Sequence, residues 1–317
     1  MAVRLAVVGN INVDFLLPCQ RLPGAGENIV ADSLQLLAGG KGANQAVAAA
    51  RLGAEVTLVG RVGRDPFGTV LKNNLAREGI NVDFVGVDEK VPTGCAFVLV
   101  LPKAENAIIS ALGANMQLTP AHVEEAFEEI EELDAILVQM GIPLEAVDRA
   151  IQIGTDRGVP VLLDPTPLRG KFPRLWRHTT VITPNASEAE ALTGVPTGTV
   201  AGAVEAALAI HEKGVPSVVV KLGKRGCVIA DDEGVRRVKA YEVQAVDPTG
   251  AGDAFAAALA VRLAEGASLD EAVVFASATA AIACTKAGAQ SSLPTRKQLE
   301  GFISRRGKRG MVSPVRK

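Results

Sequence analysis

The stretch "AILVQMGIPLEAVDRAIQIGTDRGVPVLLD", residues 135–164, reads as strand, helix, strand. Residues 135–140 and 159–164 are short apolar runs, of the kind found in strands covered on both faces. Between them Pro143 opens a segment of helical period and Gly158 closes it, the favoured residues at those two ends. Strand, helix and strand in succession form a βαβ unit, and such units build a parallel sheet. The pattern recurs outward from this stretch. Further strands are predicted at 5–9, 56–60, 180–185 and 217–223, with helices starting at Ala43 and Asp65. The fold class is therefore α/β with a mostly parallel central sheet.

The chain has 317 residues, 48% of them apolar, enough for one large domain with a sizeable core. Its 33 basic and 35 acidic residues nearly cancel and 3% are aromatic, which leaves neither a basic field nor stacking residues for nucleic acid. No apolar run has the length to span a bilayer, and Met1 leads straight into a strand-like "RLAVVG" without a signal-peptide pattern. The expectation is a cytoplasmic protein with no nucleic-acid and no membrane partner. Cys19, Cys95, Cys227 and Cys284 lie far apart without a CxxC pair, and the three histidines stand singly. Any acid or base is expected to be a carboxylate.

Two stretches break the alternation. Residues 11–38 and 92–112 are strand-like without intervening helices, as in "TGCAFVLVL" followed by "ENAIISAL". They are expected to form a small separate sheet, a lid over a site at the strand ends where open α/β sheets bind ligands; an edge extension of the main sheet is the alternative. The whole chain, 1–317, reads as one domain, and its basic, glycine-interrupted end over 306–317 is expected to fray.

Five motifs carry chemistry. In "DPTGAGDAF", residues 247–255, Gly250 and Gly252 let successive N–H groups turn toward one point, and a helix opening near Asp253 adds its positive end. That is a cradle for an anion, phosphate being the usual guest. Asp253 beside it can accept the proton of an attacking hydroxyl, or can simply cap the helix. In "AGGKGANQA", 38–46, three glycines crowd around Lys41 and Asn44 without Walker A spacing, which fits a polyhydroxylated ligand or a capped helix start. "GNINVDFL", 9–16, sets Asn10, Asn12 and Asp14 at alternate positions, for hydroxyl recognition or a solvated edge. "TPNASEAEALTG", 183–194, offers Asn185 and Glu188 to hydrated magnesium and phosphate, or as a capping box. "KLGKRG", 221–226, can lie along nucleotide phosphates or turn a hairpin.

Taken in this order over roughly residues 3–305, the motifs resemble the ribokinase, or PfkB, family of carbohydrate kinases. The resemblance implies a three-layer α/β/α sandwich with a small β-sheet lid, often a homodimer through that lid. It implies transfer of a phosphoryl group from ATP to the terminal hydroxyl of a small sugar, D-ribose foremost, with Mg²⁺. By motif position, Asp253 resembles the general base and Gly250, Ala251 and Gly252 the anion hole. Asn12, Asp14, Gly40, Lys41, Gly42 and Asn44, with Asp253, resemble the sugar contacts. Asn185, Lys221, Gly223, Lys224, Gly226 and Gly252 fall to the nucleotide, and Glu188 with Asn185 to Mg²⁺ through water. A monovalent cation, usually K⁺, is implied beside the anion hole at Asp247, Thr249, Ala283, Lys286, Gly288 and Ser292.

Two positions depart from the family. Gly141, in "QMGIPLE", stands where a sugar-contacting Glu is typical, and Ser277 where a His often flanks the adenine. The first leaves 2-keto-3-deoxygluconate, fructose or a nucleoside as alternative substrates, since polar contacts dominate discrimination. A non-catalytic sugar- or nucleotide-binding module is the reading from another class, and the retention of Asp253 with both cradle glycines speaks against it.

Overall fold

A computed structural model of the chain describes residues 2–102, 106–168, 170–307 and 311–315. The chain begins β1 (Arg4–Val8), β2 (Asn12–Pro18), β3 (Gln35–Gly39), α1 (Lys41–Arg51), β4 (Glu55–Gly63), α2 (Pro66–Arg77), β5 (Val85–Asp88), β6 (Gly94–Val100) and β7 (Asn106–Ala111). It continues through α3 (Pro120–Glu129), β8 (Ala135–Gln139), α4 (Leu144–Arg157), β9 (Val161–Asp164), β10 (Val181–Ile182), α5 (Ala186–Thr193) and α6 (Val200–His211). The last part is β11 (Ser217–Lys221), β12 (Cys227–Asp231), β13 (Gly234–Val238), α7 (Ala251–Ala264), α8 (Leu269–Ala283), α9 (Arg296–Arg306) and β14 (Val312–Pro314).

Ten strands form one sheet in the order β14-β13-β12-β11-β10-β9-β8-β1-β4-β5. From β11 to β5 every pairing is parallel, and β12, β13 and β14 add on antiparallel. Alternate side chains of β8 enter two cores: Leu137 packs with residues of α1, α7 and α8, whereas Ile136 and Val138 pack with residues of α3, α4 and α6. Both faces are thus covered by helices, which is why the strands read as unbroken apolar runs. α4 ends at Gly158 in the left-handed conformation, φ 66°, as the quoted stretch implies. α7 is buried along Asp253–Val261, and its alanines let it lie between neighbouring helices with no polar face.

The two strand-like excursions do not extend the main sheet. They form a second, mixed sheet in the order β3-β2-β6-β7, with β2 and β6 parallel and the outer pairings antiparallel. Residues 103–105, within the expected lid span, lie outside the described residues. Register places Asp14 beside Leu37 and Ala96 on one face, and Phe15 beside Leu36 and Phe97 on the other. Phe15 stacks on Phe97 at 4.9 Å and meets Phe67 of α2 edge-on at 5.7 Å, which ties the lid to the body.

Two expectations change. The strand predicted over 180–185 shrinks to Val181–Ile182, since Pro184 has no N–H for a ladder. The end predicted to fray over 306–317 instead supplies β14, whose Val312 pairs with Val238 of β13. Met311 and Val312 pack on the core there and cover an otherwise open edge. Residues 308–310 and 316–317 of that span lie outside the described residues.

Candidate active site

Parallel strands deliver their C-terminal ends to one side of a sheet, and the polar residues of this chain collect there. Asn10 follows β1, Gln139 ends β8, Asp164 ends β9, Asn185 follows β10 and Lys221 ends β11. Between this rim and the lid lies a cavity of about 750 Å³, lined in part by Asn12, Asp14, Lys41, Asn44 and Asp253. These five motif residues, more than 200 positions apart at the extremes, share one space.

At the lid side of the cavity, α1 begins hard against β1. A Cβ on Gly42 would fall 2.6 Å from the carbonyl carbon of Gly9, so only glycine permits the approach. Asn44 is inside α1 and caps nothing; its Nδ2 donates to Asp253 Oδ2 at 2.8 Å. Lys41 Nζ stands 4.0 Å from Asp253 Oδ1. Asn12 is buried and its Oδ1 accepts from Asn115 Nδ2 at 2.9 Å, while Asn115 Oδ1 accepts from Ile11 N at 2.8 Å. Asp14 lies on the cavity face of β2. Burial, reinforced by the charge of Asp253 and opposed by Lys41, pushes its carboxyl up to about 6.

Asp253 sits in the first turn of α7, only 3% exposed. The N-cap is Gly250, φ 78°, with no side-chain cap, so the capping role open to Asp253 in the sequence is not the one it plays. Burial raises its carboxyl above the usual range, Lys41 pulling the other way, Asp164 adding to the rise and the Asn44 hydrogen bond lowering it. Asp253 Oδ1 is buried with no hydrogen-bond partner among the described residues. In the same turn Ala251 N bonds back to Pro248 O at 3.1 Å and Ala254 N to Gly250 O at 2.8 Å. The intervening amides of Gly252 and Asp253 face outward from the helix start as donors.

At the ends of β9 and β11, Lys221 Nζ donates to Asp164 Oδ1 at 2.8 Å, and Gln45 Nε2 to Asp164 Oδ2 at 2.9 Å. This anchored ammonium lies 3.9 Å from where a Cβ of Gly252 would be. The turn through Gly223, Lys224 and Gly226 does join antiparallel β11 and β12, so the hairpin is real and it ends at the site. Asn185 and Glu188 also form the capping box: Glu188 N donates to Asn185 Oδ1 at 2.9 Å, and Asn185 N to Glu188 Oε2 at 2.8 Å. Thr166 Oγ1 donates to Glu188 Oε1 at 2.5 Å. Burial and then Asp164 raise the Glu188 carboxyl, against the pull of Lys221. Among the described residues no group of three or more His, Cys, Asp or Glu is gathered around a metal-sized site.

Asp247 behaves differently from Asp253. Thr249 N donates to its Oδ1 at 2.9 Å and Gly288 N to its Oδ2 at 2.8 Å, bracing two loops together. Burial works to raise this carboxyl, but the hydrogen bonds outweigh it and hold it below the usual range. Thr249 and Gly288 join Asp247 at the cavity wall, whereas Ala283, Lys286 and Ser292 lie behind it; Ser292 Oγ donates to Ala289 O at 2.8 Å. Ser277 is buried, hydrogen-bonded to the Cys227 thiol and outside the cavity wall. Sequence reasoning passed over Asp164, Gln45, Thr166 and Asn115. A usable signal existed for Asp164, an acid closing an apolar strand; none existed for Asn115, whose partner Ile11 is 104 residues away.

The profile of the pfkB family of carbohydrate kinases matches residues 3–296. The chain belongs to that family. Among its relatives is the ribokinase of Haemophilus influenzae, 40% identical over 303 residues, 96% of this chain and 99% of that protein. The deoxyribokinase of Salmonella typhi is 34% identical over 304 residues, 95% of this chain and 98% of that protein. The solved structure of Arabidopsis thaliana ribokinase complexed with ribose and ATP superposes with a TM-score of 0.86 at 34% identity, covering 96% of this pfkB chain and 99% of the other. The α/β sandwich with its small second sheet is the fold of this carbohydrate kinase family, as the motifs implied.

Proposed function

We propose that this chain is an ATP-dependent kinase that phosphorylates the terminal hydroxyl of D-ribose, with Asp253 as general base. The observation that carries the reading is the unpartnered, buried Asp253 Oδ1 next to the outward-facing amides of the α7 start. A sugar hydroxyl at that oxygen gives up its proton to Asp253 as its oxygen bonds to the γ-phosphorus, while the bond to the β,γ-bridging oxygen breaks and ADP leaves. Within the Gly250, Ala251 and Gly252 cradle, where Ala251 N is bonded to Pro248 O, the free amides of Gly252 and Asp253, with Lys221 alongside, stabilise the charge that spreads over the transferring group. Asn12, Asp14, Gly40, Lys41, Gly42 and Asn44 orient the sugar. Asn185, Lys224, Gly223 and Gly226 border the nucleotide, with Ser277 behind them.

The rim carries Asp164, Glu188 and Asp253 against Lys41 and Lys221, an excess of carboxylate that suits a cation arriving with ATP. Mg²⁺ bound with the nucleotide would neutralise phosphate charge. With Glu188 and Asn185 already engaged in their capping box, they would reach it through water, as magnesium's tight hydration favours. The Asp247 carboxylate, the Thr249 and Ser292 hydroxyls and the backbone carbonyls of Ala283, Lys286 and Gly288 are oxygen donors that would suit a hard monovalent cation such as K⁺. The lid exposes Leu36, Phe97 and Ile109 on the face away from the cavity, an apolar surface that fits a homodimer contact. Among the described residues no helix is long and apolar enough to cross a membrane, and a cytoplasmic location is part of this reading.

The test is a coupled ADP-release assay over ribose, 2-deoxyribose, fructose, 2-keto-3-deoxygluconate and a nucleoside, with and without K⁺, on protein sized by light scattering. Ribose is expected to lead in kcat/KM. A tenfold lead for another substrate would reassign the sugar, and 2-deoxyribose is the sharpest competitor because a deoxyribokinase is among the relatives.

A further inference from the structure

Asn10 connects β1 to β2, is 5% exposed and lines the cavity. Its Oδ1 accepts from Gly42 N at 3.2 Å. A backbone N–H only donates, so this bond fixes which end of the carboxamide is oxygen and leaves the NH₂ as the other end. Asn12 Oδ1 is committed to Asn115, and Asn44 Nδ2 to Asp253. Asp14 and Asp253 offer acceptors, and Lys41 offers a charged donor. The NH₂ groups of Asn10 and Asn12 are carboxamide donors on this wall left without a protein acceptor among the described residues, and that of Asn10 is the one beside Gly141.

Gly141 is what lets Asn10 occupy this place. A Cβ at position 141 would fall 2.7 Å from Asn10 Cγ and 2.8 Å from Gln139 Oε1. The Asn10 carboxamide therefore fills the volume that any side chain at 141 would need. Gly141 N donates to Gln139 Oε1 at 2.5 Å, which holds the segment after β8 against that carboxamide. We propose that Asn10 contacts the sugar and determines specificity, its NH₂ donating to one hydroxyl oxygen of the substrate on the side of Gly141. The proposal rests on the sugar-kinase reading above. A hydroxyl can accept from Asn10 while donating to a carboxylate such as Asp14, and a sugar lacking that hydroxyl leaves the buried NH₂ unpaired.

Asn10→Asp keeps the acceptor for Gly42 N and the side-chain volume while deleting the donor. Steady-state kinetics would be run on the wild-type and variant enzymes with ribose and with each monodeoxyribose that retains the terminal hydroxyl. For the variant we expect KM for ribose to rise about tenfold, the worth of one hydrogen bond, with KM for ATP within about twofold. The penalty that the wild-type enzyme imposes on one particular deoxy sugar should shrink toward unity while the other penalties persist. Asn10→Ala, which removes the donor without adding charge, should show the same selective loss and guards against a misfolded Asp variant. Unchanged penalties for every deoxy sugar in both variants would overturn the role of Asn10. If wild-type enzyme prefers another sugar, the ribose assignment fails separately, and the same comparison with that sugar's deoxy analogues still decides Asn10.

Discussion

The ten-stranded sheet and the four-stranded lid are built to opposite requirements. β8 buries every side chain from Ala135 to Gln139, whereas β3 leaves Gln35 and Leu36 exposed and turns Leu37 toward the cavity. The central strands answer to packing on two faces, so their composition is almost entirely apolar. The lid faces the cavity on one side and meets the body through Phe15 on the other, so it mixes Asp14 with Phe15 and Leu16. The site lies on the seam between them. Asp253 comes to it from the rigid body, and Asp14 from the lid.

The comparison can be broken by stability measurements first. Leu137→Ala, at a position 1% exposed in β8, should cost about 2–5 kcal/mol in denaturant unfolding. Leu36→Ala on the lid should change stability by about 0.5 kcal/mol or less. Equal losses would mean that the lid is as integral to the core as β8.

Next in size is Asp253→Asn, on the body side of the seam. Turnover should fall at least ~100-fold, about 2.7 kcal/mol in the barrier, with KM for ATP nearly unchanged. Undiminished kcat would remove Asp253 from the base role.

The smallest effect concerns Asp14, on the lid side. Its folded pKa of about 6 exceeds the ordinary 3.8, so the ionised form is disfavoured by folding. That destabilisation is fully present above pH 6 and vanishes as pH falls through 6 toward 3.8. Asp14→Asn should therefore raise Tm by about 1–3 °C at pH 8 and leave it unchanged near pH 4. A Tm that drops at pH 8 would show that the carboxylate is instead stabilised where it sits.

Much of this was legible in the chain because periodicity and glycine placement are local. The βαβ stretch at 135–164 predicted two buried strands and a helix with its ends, and the excursions predicted a second sheet. "GGKGAN" and "TGAGD" announced helix starts, and both lie at the cavity. Long-range partners left no such mark. Asn115 holds Asn12 from 103 positions away, and Asp164 joins Lys221 across 57. The strand β14 was hidden for the same reason, since only the open edge of β13 makes a short basic tail worth ordering.

The sequence alone determined the α/β class, the lid and the motifs that carry the family likeness, because each rests on spacing along the backbone. Tertiary structure alone decided what each acid does. Asp247 and Asp253 lie six residues apart in one motif, yet backbone amides hold the first ionised, while burial beside Asp164 lifts the second. A carboxyl's proton affinity is set by the charges and donors around it, and those arrive from distant parts of the chain.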